Sequence, residues 1–363
     1  MAYWKGSLHL PLLLQLISGV FLCQDGVVAQ GLMRKNPMRR YGAGAQQGLR
    51  PGRLGHARLG MSAAGGWQGP VIKDQFTVQI MTFKRPAHLM QAIRSLINAP
   101  SLNKIVVIWN DDEQGRSYVD SGMPQFLREH KLRRPVEVVI TRTNDVTNRW
   151  RRQGHIATQA VFNMDDDTTV DLGTLEFGFS IWKKHPDQVI GFFDRVIFWD
   201  TATGQYVYGY DAGVVAPEKY GIVIGKAWIA SVELLQLAEN DQDLLLMRMR
   251  EFLHDPQREQ KGCDDIAWNM FLHLRGAKPP IGLAGVRMDD IITWDGQKTT
   301  GYSAVSEADP DAWTRYRTHC IAGLLRVCGL QKPDLPPSPV QQYLVPAAAQ
   351  PQTYGTWGQD DQL

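Results

Sequence analysis

Hydrophobic and polar residues follow two different periods between residues 76 and 184. Short runs rich in Val, Ile and aromatic residues, such as Phe76–Phe83, have the two-residue period of a β-strand. In the segment that begins at Pro86, apolar residues recur every three or four positions, which is typical of an amphipathic helix. The pattern predicts strands at 76–83, 104–109, 136–140 and 160–164, and helices at 86–97, 123–130 and 172–184. Strands separated by helices predict an α/β fold with a mixed, mostly parallel sheet flanked by helices.

The second half of the chain is less regular. It predicts strands at 189–193 and 205–209, an apolar element at 222–237 with Gly225 near its start, and helices at 241–254 and 262–274. Pro and Gln are frequent from Lys332 onward, so residues 332–363 are expected to form a flexible tail. A single folded domain is therefore predicted over residues 72–331.

The first 71 residues differ from this folded part. Lys5 precedes an apolar stretch, Leu8–Cys23, that is shorter than the ~20 residues of a membrane span, so residues 1–30 are predicted to be a signal peptide or a short signal anchor. Residues 31–71 are rich in Gly, Arg and Ala without any acidic residue and are predicted to be a disordered basic stem. The same composition leaves an organelle transit peptide as an alternative.

The distribution of charge along the chain indicates which kinds of molecule it can bind. The whole chain has a net charge of +2, but its N-terminal part is strongly basic, so the remainder is slightly acidic. A slightly acidic folded domain argues against nucleic acid as a partner. The N-terminal segment instead indicates the secretory pathway, with membrane anchoring if that segment is retained.

Three consecutive carboxylates, Asp165, Asp166 and Asp167, follow the predicted strand at 160–164. Two carboxylates about 4 Å apart repel each other by roughly 4 kcal/mol at an effective dielectric near 20, so a cation is expected to compensate. Ligands bind beyond the carboxyl ends of parallel strands, where Thr82, Arg85 and Asn110 also fall. Asp residues in this position suit a hard divalent ion that binds phosphates. An exposed acidic turn stabilised by water and Thr168 or Thr169 is the alternative.

Further motifs accompany the acidic triplet along the chain: Thr82–Arg85, Ile105–Asn110, Thr147–Arg149, Met164–Asp167, His185–Gln188, Val223–Gly225, Cys263–Asn269, Gly301–Ser303 and Arg317–Cys320. With these motifs the chain resembles the exostosin-type glycosyltransferase domain, the GT64 class, from about Phe76 to Cys328. The resemblance implies a GT-A fold, in which a Rossmann-like sheet holds a nucleotide sugar with a divalent metal, usually Mn²⁺. It also implies a retaining N-acetylhexosaminyltransferase.

The resemblance assigns roles to individual positions. It implies that Asp165 faces the nucleoside, Asp166 the sugar or ribose, and Asp167 the metal. It implies catalytic roles for Asp265, beside the anomeric carbon, and for Arg317, which would help the diphosphate to leave. The residues that would line the nucleotide pocket are Thr82, Arg85, Asn110, Asn144 and Arg149.

Two of these roles have simpler alternatives. Asp265 can be a first-turn carboxylate that interacts with a helix dipole, and Arg317 can belong to a surface ion pair. The first motif also departs from the family, because Phe83 and Lys84 replace the Tyr and Asn that relatives commonly have. This difference bears on which base is bound.

Cys263 and Cys320 lie within three residues of Asp265 and Arg317, respectively. A disulfide between them is predicted, and it would hold the two candidate catalytic residues near each other. Such a bond requires an oxidising compartment, in agreement with the predicted N-terminal signal.

The predicted activity is metal-dependent transfer of a sugar, an N-acetylhexosamine, from a UDP-sugar to a glycan or glycolipid acceptor in the lumen of the Golgi or endoplasmic reticulum. GDP-mannose is the alternative donor, because related domains differ in donor. A metal-dependent phosphohydrolase and a catalytically inactive partner subunit are the competing functions.

Overall fold

A computed structural model describes residues 71–111, 115–130, 132–209, 219–255, 262–290, 309–330 and 341–346. These residues all belong to one compact unit of the chain, 67–363. The predicted signal segment at 1–30, nearly all of the predicted stem and most of the predicted tail lie outside the described residues.

The described residues form three β-sheets. Their strands are β1 (Ile72–Thr82), β2 (Leu102–Asn110), β3 (Val136–Thr141), β4 (Thr158–Asp165), β5 (Thr168–Val170), β6 (Ile190–Gly191), β7 (Asp194–Asp200), β8 (Gln205–Gly209), β9 (Lys219–Val223), β10 (Ala227–Ser231), β11 (Ile281–Ala284), β12 (Met288–Asp290) and β13 (Gln341–Leu344).

Eight of these strands form the central sheet, in the order β13-β11-β6-β10-β4-β1-β2-β3. Within it, β10 is antiparallel to both of its neighbours, and the other pairs are parallel. Two smaller antiparallel sheets pair β12 with β5 and place β7 between β8 and β9.

Helices cover both faces of the central sheet. They are α1 (Pro86–Leu96), α2 (Arg116–Val119), α3 (Met123–Glu129), α4 (Leu172–Lys184), α5 (Val232–Gln236), α6 (Leu244–Leu253), α7 (Asp264–Leu274) and α8 (Pro310–Cys328), with 3₁₀ turns at Val146–Trp150 and Leu237–Glu239. The predicted α/β class, with a mostly parallel sheet flanked by helices, is confirmed.

Two apolar cores explain the long hydrophobic runs of the central strands. In β2, Ile105 and Val107 join the core shared with α1, α3 and α4, whereas Val106 joins the core shared with α5 to α8. A strand that is buried on both faces reads as continuous apolar sequence, as expected for a parallel sheet. The cap of α4 depends only on neighbouring residues, because the Asp171 side chain accepts a hydrogen bond from the Thr174 amide at the start of that helix.

Parallel pairing brings the ends of β1, β2 and β4 to one edge of the sheet, where β1 pairs Met81 with Asp165 and β2 pairs Thr82 with Trp109. Because β10 is antiparallel, its start lies at the same edge, and the Asp165 amide donates to the Lys226 carbonyl at 3.0 Å. This edge carries the predicted site residues.

Several parts of the fold were not predicted from the sequence. The helix α8 and the strand β7 were absent from the predicted elements, whereas β8, which pairs with β7, coincides with the strand predicted at 205–209. Residues 341–344, predicted as part of a flexible tail, instead form β13, which pairs with β11, and Val345 is buried beside it. None of the helices in the described ranges is long and apolar enough to cross a membrane.

Candidate active site

The acidic triplet lies where β4 ends, and the end of β1 supplies its first partners. The Thr82 hydroxyl donates to Asp166 Oδ2 at 2.6 Å. Arg85 contacts two of the carboxylates, since its Nη1 lies 2.6 Å from Asp167 Oδ2 and its Nη2 lies 2.5 Å from Asp166 Oδ1. The guanidinium group of Arg85 thus compensates part of the negative charge of the triplet.

Burial and charge shift the pKa values of these groups in opposite senses. Burial raises the pKa of Asp166 to about 7, although Arg85 lowers it. Burial likewise raises the pKa of Asp165, against the opposing effect of Arg149. Burial lowers the pKa of Arg85, but the negative charges of Asp166, Asp167 and Asp165 outweigh it and raise the net value. The arginine therefore stays charged, whereas the pKa of Asp166 lies near neutral pH.

Arg149 joins the triplet to the start of β10. It lies in the 3₁₀ turn Val146–Trp150, and its Nη2 is 2.7 Å from Asp165 Oδ1. Its Nη1 donates to the Gly225 carbonyl at 2.7 Å. A Cβ atom on Gly225 would lie only 3.1 Å from that Nη1 and 3.5 Å from Asp264 Oδ2. Glycine at this position therefore allows Arg149 to approach the backbone closely.

The second half of the site comes from α7 and α8. Arg317 Nη2 lies 2.6 Å from Asp265 Oδ1, with side-chain exposures of 2% and 10%. Arg317 Nη1 donates to the Gly262 carbonyl at 2.5 Å, and its guanidinium lies 4.8 Å from the centre of the Tyr208 ring. An exposed surface ion pair is thereby excluded for Arg317, because the pair is buried and its cation is held on several sides.

A disulfide joins Cys263 to Cys320, whose Cα atoms are 6.0 Å apart. It connects the residue just before α7 with the middle of α8, close to Asp265 and Arg317. Cys328 is a free thiol. The predicted pairing is therefore present in the structure.

Asp264, the neighbour of Asp265 in the first turn of α7, belongs to the same cluster. Burial and then Asp265 raise the pKa of Asp264 to about 6, while Arg149 and Arg317 lower it. These partners come from both halves of the site. Asp264 therefore lies between the acidic triplet side and the Asp265–Arg317 pair.

Asn110 and Asn144 act together in the loop that carries Arg149. Asn110 Nδ2 donates to Asn144 Oδ1 at 3.3 Å and to the Asp145 carbonyl at 3.2 Å. Its Oδ1 accepts from Thr141 Oγ1 and Asn148 Nδ2, both at 3.0 Å. Both ends of the Asn110 amide therefore brace residues 141–148 at the end of β3.

Sequence reasoning missed the groups that align these pieces. Trp268 of α7 stacks between Trp150 and Trp228, with ring centres 5.6 and 5.7 Å apart. Asn269 Nδ2 donates to the Asp265 and Val223 carbonyls, both at 2.7 Å. Trp268 and Asn269 fall inside the Cys263–Asn269 motif, which was the only signal for them. Trp228 and Trp268 are both buried in the core.

The triplet has the right chemistry for a divalent cation. Carboxylate oxygens are preferred ligands of hard divalent ions, which commonly bind one or two carboxylates plus phosphates of the substrate. Asp165 and Asp167 suit this role because their side chains are 29% and 35% exposed. Within the ranges that the structure describes, no group of three or more His, Cys, Asp or Glu residues is arranged to hold an ion. A cation here would thus depend on Asp167, with Asp165, and on ligand oxygens.

Comparison with known proteins assigns the class. A model of the glycosyl transferase family 64 domain matches residues 76–334, which is most of the chain. The chain belongs to this family of glycosyltransferases, and the resemblance noted in its motifs is confirmed. The GT-A class expected from that resemblance agrees with the mostly parallel sheet.

Two individual relatives in this comparison each share less than 30% sequence identity with the chain. Exostosin-like 2 of Mus musculus is 29% identical over 265 residues, which cover 70% of this chain and 72% of that protein. Glycosylinositol phosphorylceramide mannosyl transferase 1 of Arabidopsis thaliana is 24% identical over 254 residues, which cover 68% of this chain and 70% of that protein. Among solved structures, GalNAc-T7 with UDP, GalNAc and Mn²⁺ has a TM-score of 0.41 and 12% identity, covering 62% of this chain and 44% of that one.

Proposed function

We propose that this protein is a metal-dependent, retaining glycosyltransferase that moves an N-acetylhexosamine from a UDP-sugar to a glycan or glycolipid acceptor. One observation carries the proposal: the acidic triplet and its two arginines adjoin the buried Asp265–Arg317 pair. The triplet and its arginines can hold a nucleoside diphosphate and its cation, and the Asp265–Arg317 pair can contact the reacting sugar. Because both parts belong to one donor molecule, the two groups must be adjacent.

The arginines account for the departure of the diphosphate. As the bond between the anomeric carbon and the phosphate oxygen breaks, negative charge grows on the leaving group. Fixed guanidinium groups in a partly dehydrated site stabilise such charge, and Arg149 and Arg317 are both buried. A divalent cation held by Asp167, with Asp165, would supply further neutralisation of the diphosphate when bound.

Asp265 is the residue assigned to the anomeric carbon. A carboxylate there stabilises an oxocarbenium-like transition state or orients the acceptor hydroxyl. Its contact with Arg317 fixes its orientation, and the Asn269 side chain donates to its backbone carbonyl. Asp265 therefore has a defined position before any substrate arrives, which favours catalysis.

Donor and acceptor are the finer parts of the proposal. The Arabidopsis relative is a mannosyl transferase by name, so GDP-mannose remains the alternative donor, and its name also supports a glycolipid acceptor. The disulfide Cys263–Cys320 supports a location in an oxidising compartment, which we take to be the Golgi or endoplasmic reticulum lumen.

The test is calorimetric binding of UDP and of GDP to the full-length protein, each with and without Mn²⁺. We expect Mn²⁺-dependent binding of UDP that is lost in Asp167→Ala and retained in the control Asp120→Ala, which changes an aspartate 70% exposed in a surface pair. Equal or tighter binding of GDP would move the donor to GDP-mannose. Absence of metal-dependent binding of either nucleotide to folded protein would overturn the proposal.

The catalytic assignment needs a separate variant. Asp265→Asn is expected to lower turnover of the donor by about 10²–10³-fold, the usual effect of removing one preorganised electrostatic group, while nucleotide binding persists. Donor hydrolysis that an added acceptor never accelerates would favour the phosphohydrolase instead.

A further inference from the structure

Arg85 is the most exposed of the three arginines at the site, and it bridges two carboxylates. Its side chain is 23% exposed, whereas that of Arg149 is 10% exposed and that of Arg317 is 2% exposed. The guanidinium of Arg85 contacts Asp166 and Asp167 at 2.5 and 2.6 Å. It thereby covers the carboxylate oxygen that a cation at Asp167 would use.

Both oxygens of Asp167 already have partners in the structure. Oδ2 faces Arg85 Nη1, and Oδ1 accepts from Thr168 Oγ1 at 3.4 Å. A divalent ion that bound Oδ2 would stand next to the guanidinium, and two cations at such separation repel each other. Asp167 can therefore pair fully with the guanidinium or with the ion, but not with both at once.

Asp166 does not require Arg85 to the same degree. The Thr82 hydroxyl also donates to it, at 2.6 Å, so Asp166 keeps a hydrogen-bond partner when Arg85 moves away. Arg149 is bound differently, because it also donates to the Gly225 carbonyl and does not contact Asp167 in the structure. Of these two arginines, Arg85 is thus the one positioned to change partners.

A diphosphate is the natural alternative partner. The planar guanidinium binds carboxylate and phosphate oxygens with the same two-pronged geometry. We propose that Arg85 is an exchangeable counter-ion, which pairs with Asp166 and Asp167 before the donor binds and transfers to the phosphates as the divalent cation takes its place on Asp167. This inference rests on the proposed function and adds that cation and nucleoside diphosphate bind cooperatively through Arg85.

The test measures Mn²⁺ binding by the loss of the free-ion electron paramagnetic resonance signal, using the full-length protein. In the absence of nucleotide, Arg85→Gln is expected to bind Mn²⁺ more tightly than wild type, by about fivefold or more, since the competing cation is gone. In wild type, UDP is expected to tighten Mn²⁺ binding, and uridine, which has no phosphates, is expected to leave it unchanged. In Arg85→Gln the tightening by UDP should be smaller.

Two further variants make the outcome decisive. Arg94→Gln removes an exposed arginine from α1, the helix that begins directly after Arg85, and should behave as wild type. Arg85→Lys keeps the charge but not the two-pronged contact, so its Mn²⁺ affinity is expected to lie above that of wild type and below that of Arg85→Gln. This variant also provides the test if Arg85→Gln fails to fold. Unchanged or weaker Mn²⁺ binding in folded Arg85 variants would overturn the exchange even where UDP binding is Mn²⁺-dependent. Absence of Mn²⁺-dependent UDP binding in wild type would instead overturn the proposed function together with the exchange.

Discussion

Asp264 shows how a single residue at this site couples stability to pH. Its pKa is raised to about 6 by burial and by Asp265, whereas an aspartate in an unfolded chain has a pKa of about 3.9. Between these values the folded state binds more protons than the unfolded state, so this carboxyl makes the protein less stable as pH rises. The stabilisation is complete below the unfolded value and is lost as pH rises through about 6.

Replacement of this group by a neutral amide should remove that dependence. We expect the free energy of unfolding of Asp264→Asn, relative to that of wild type, to increase by about 2 kcal/mol from about pH 4.5 to about pH 7.5. Urea denaturation at both pH values measures the difference, with the exposed Asp120→Asn as a control that should show no such trend. A constant difference between the two pH values would mean that Asp264 is charged throughout.

At the scale of elements, the disulfide connects the two helices that supply Asp265 and Arg317. Cys263 precedes α7 and Cys320 lies within α8, with 57 residues between them along the chain. Cross-links of this length stabilise a protein by about 4 kcal/mol in the chain-entropy model. Loss of the bond should also loosen the contact between the two candidate catalytic residues.

We therefore expect the double variant Cys263→Ser/Cys320→Ser to melt at a lower temperature and to lose turnover beyond what its fraction of unfolded protein explains. Thermal melting and donor turnover of the same sample, below the melting temperature, separate these effects. Cys328→Ser, which changes a cysteine that is free in the described part of the chain, is the matched control. Normal turnover in the folded double variant would show that packing alone aligns the helices.

At the scale of the whole molecule, the site combines the edge of the central sheet with helices from the far end of the chain. Asp165 ends β4, Arg149 lies in the turn that follows β3, and Arg317 comes from α8. The stacked rings of Trp150, Trp268 and Trp228 pack that turn, α7 and β10 together. A ligand that contacts both halves of the site should therefore stabilise the folded unit as one.

Thermal unfolding measures this linkage. UDP and Mn²⁺ at about 100 times the dissociation constant should raise the melting temperature by about 5–10 °C, because bound ligand adds about 2.7 kcal/mol to the stability of the folded state. ADP with Mn²⁺ is the control for general phosphate binding and should have a smaller effect. An equal rise with ADP would contradict a site that selects uridine.

The sequence alone determined the elements whose residues repeat with a strong local period. The helix predicted at 172–184 coincides with α4, and the strand predicted at 205–209 coincides with β8. The position of the acidic triplet at a strand end followed from the same local pattern, and its motifs identified the family. Such features depend on neighbours within a few residues, so they can be read before the chain folds.

Only the tertiary structure decided which side chains meet. The Arg149–Asp165 contact and the approach of Arg149 to Gly225 join segments whose contact the sequence did not predict. For Asp265 and Arg317 the predicted disulfide implied proximity, and the structure added the direct contact. The strand β13 also escaped prediction, because its short segment gains order only by pairing with β11. Contacts between distant segments depend on sheet order, register and packing, and no local period of the sequence records them.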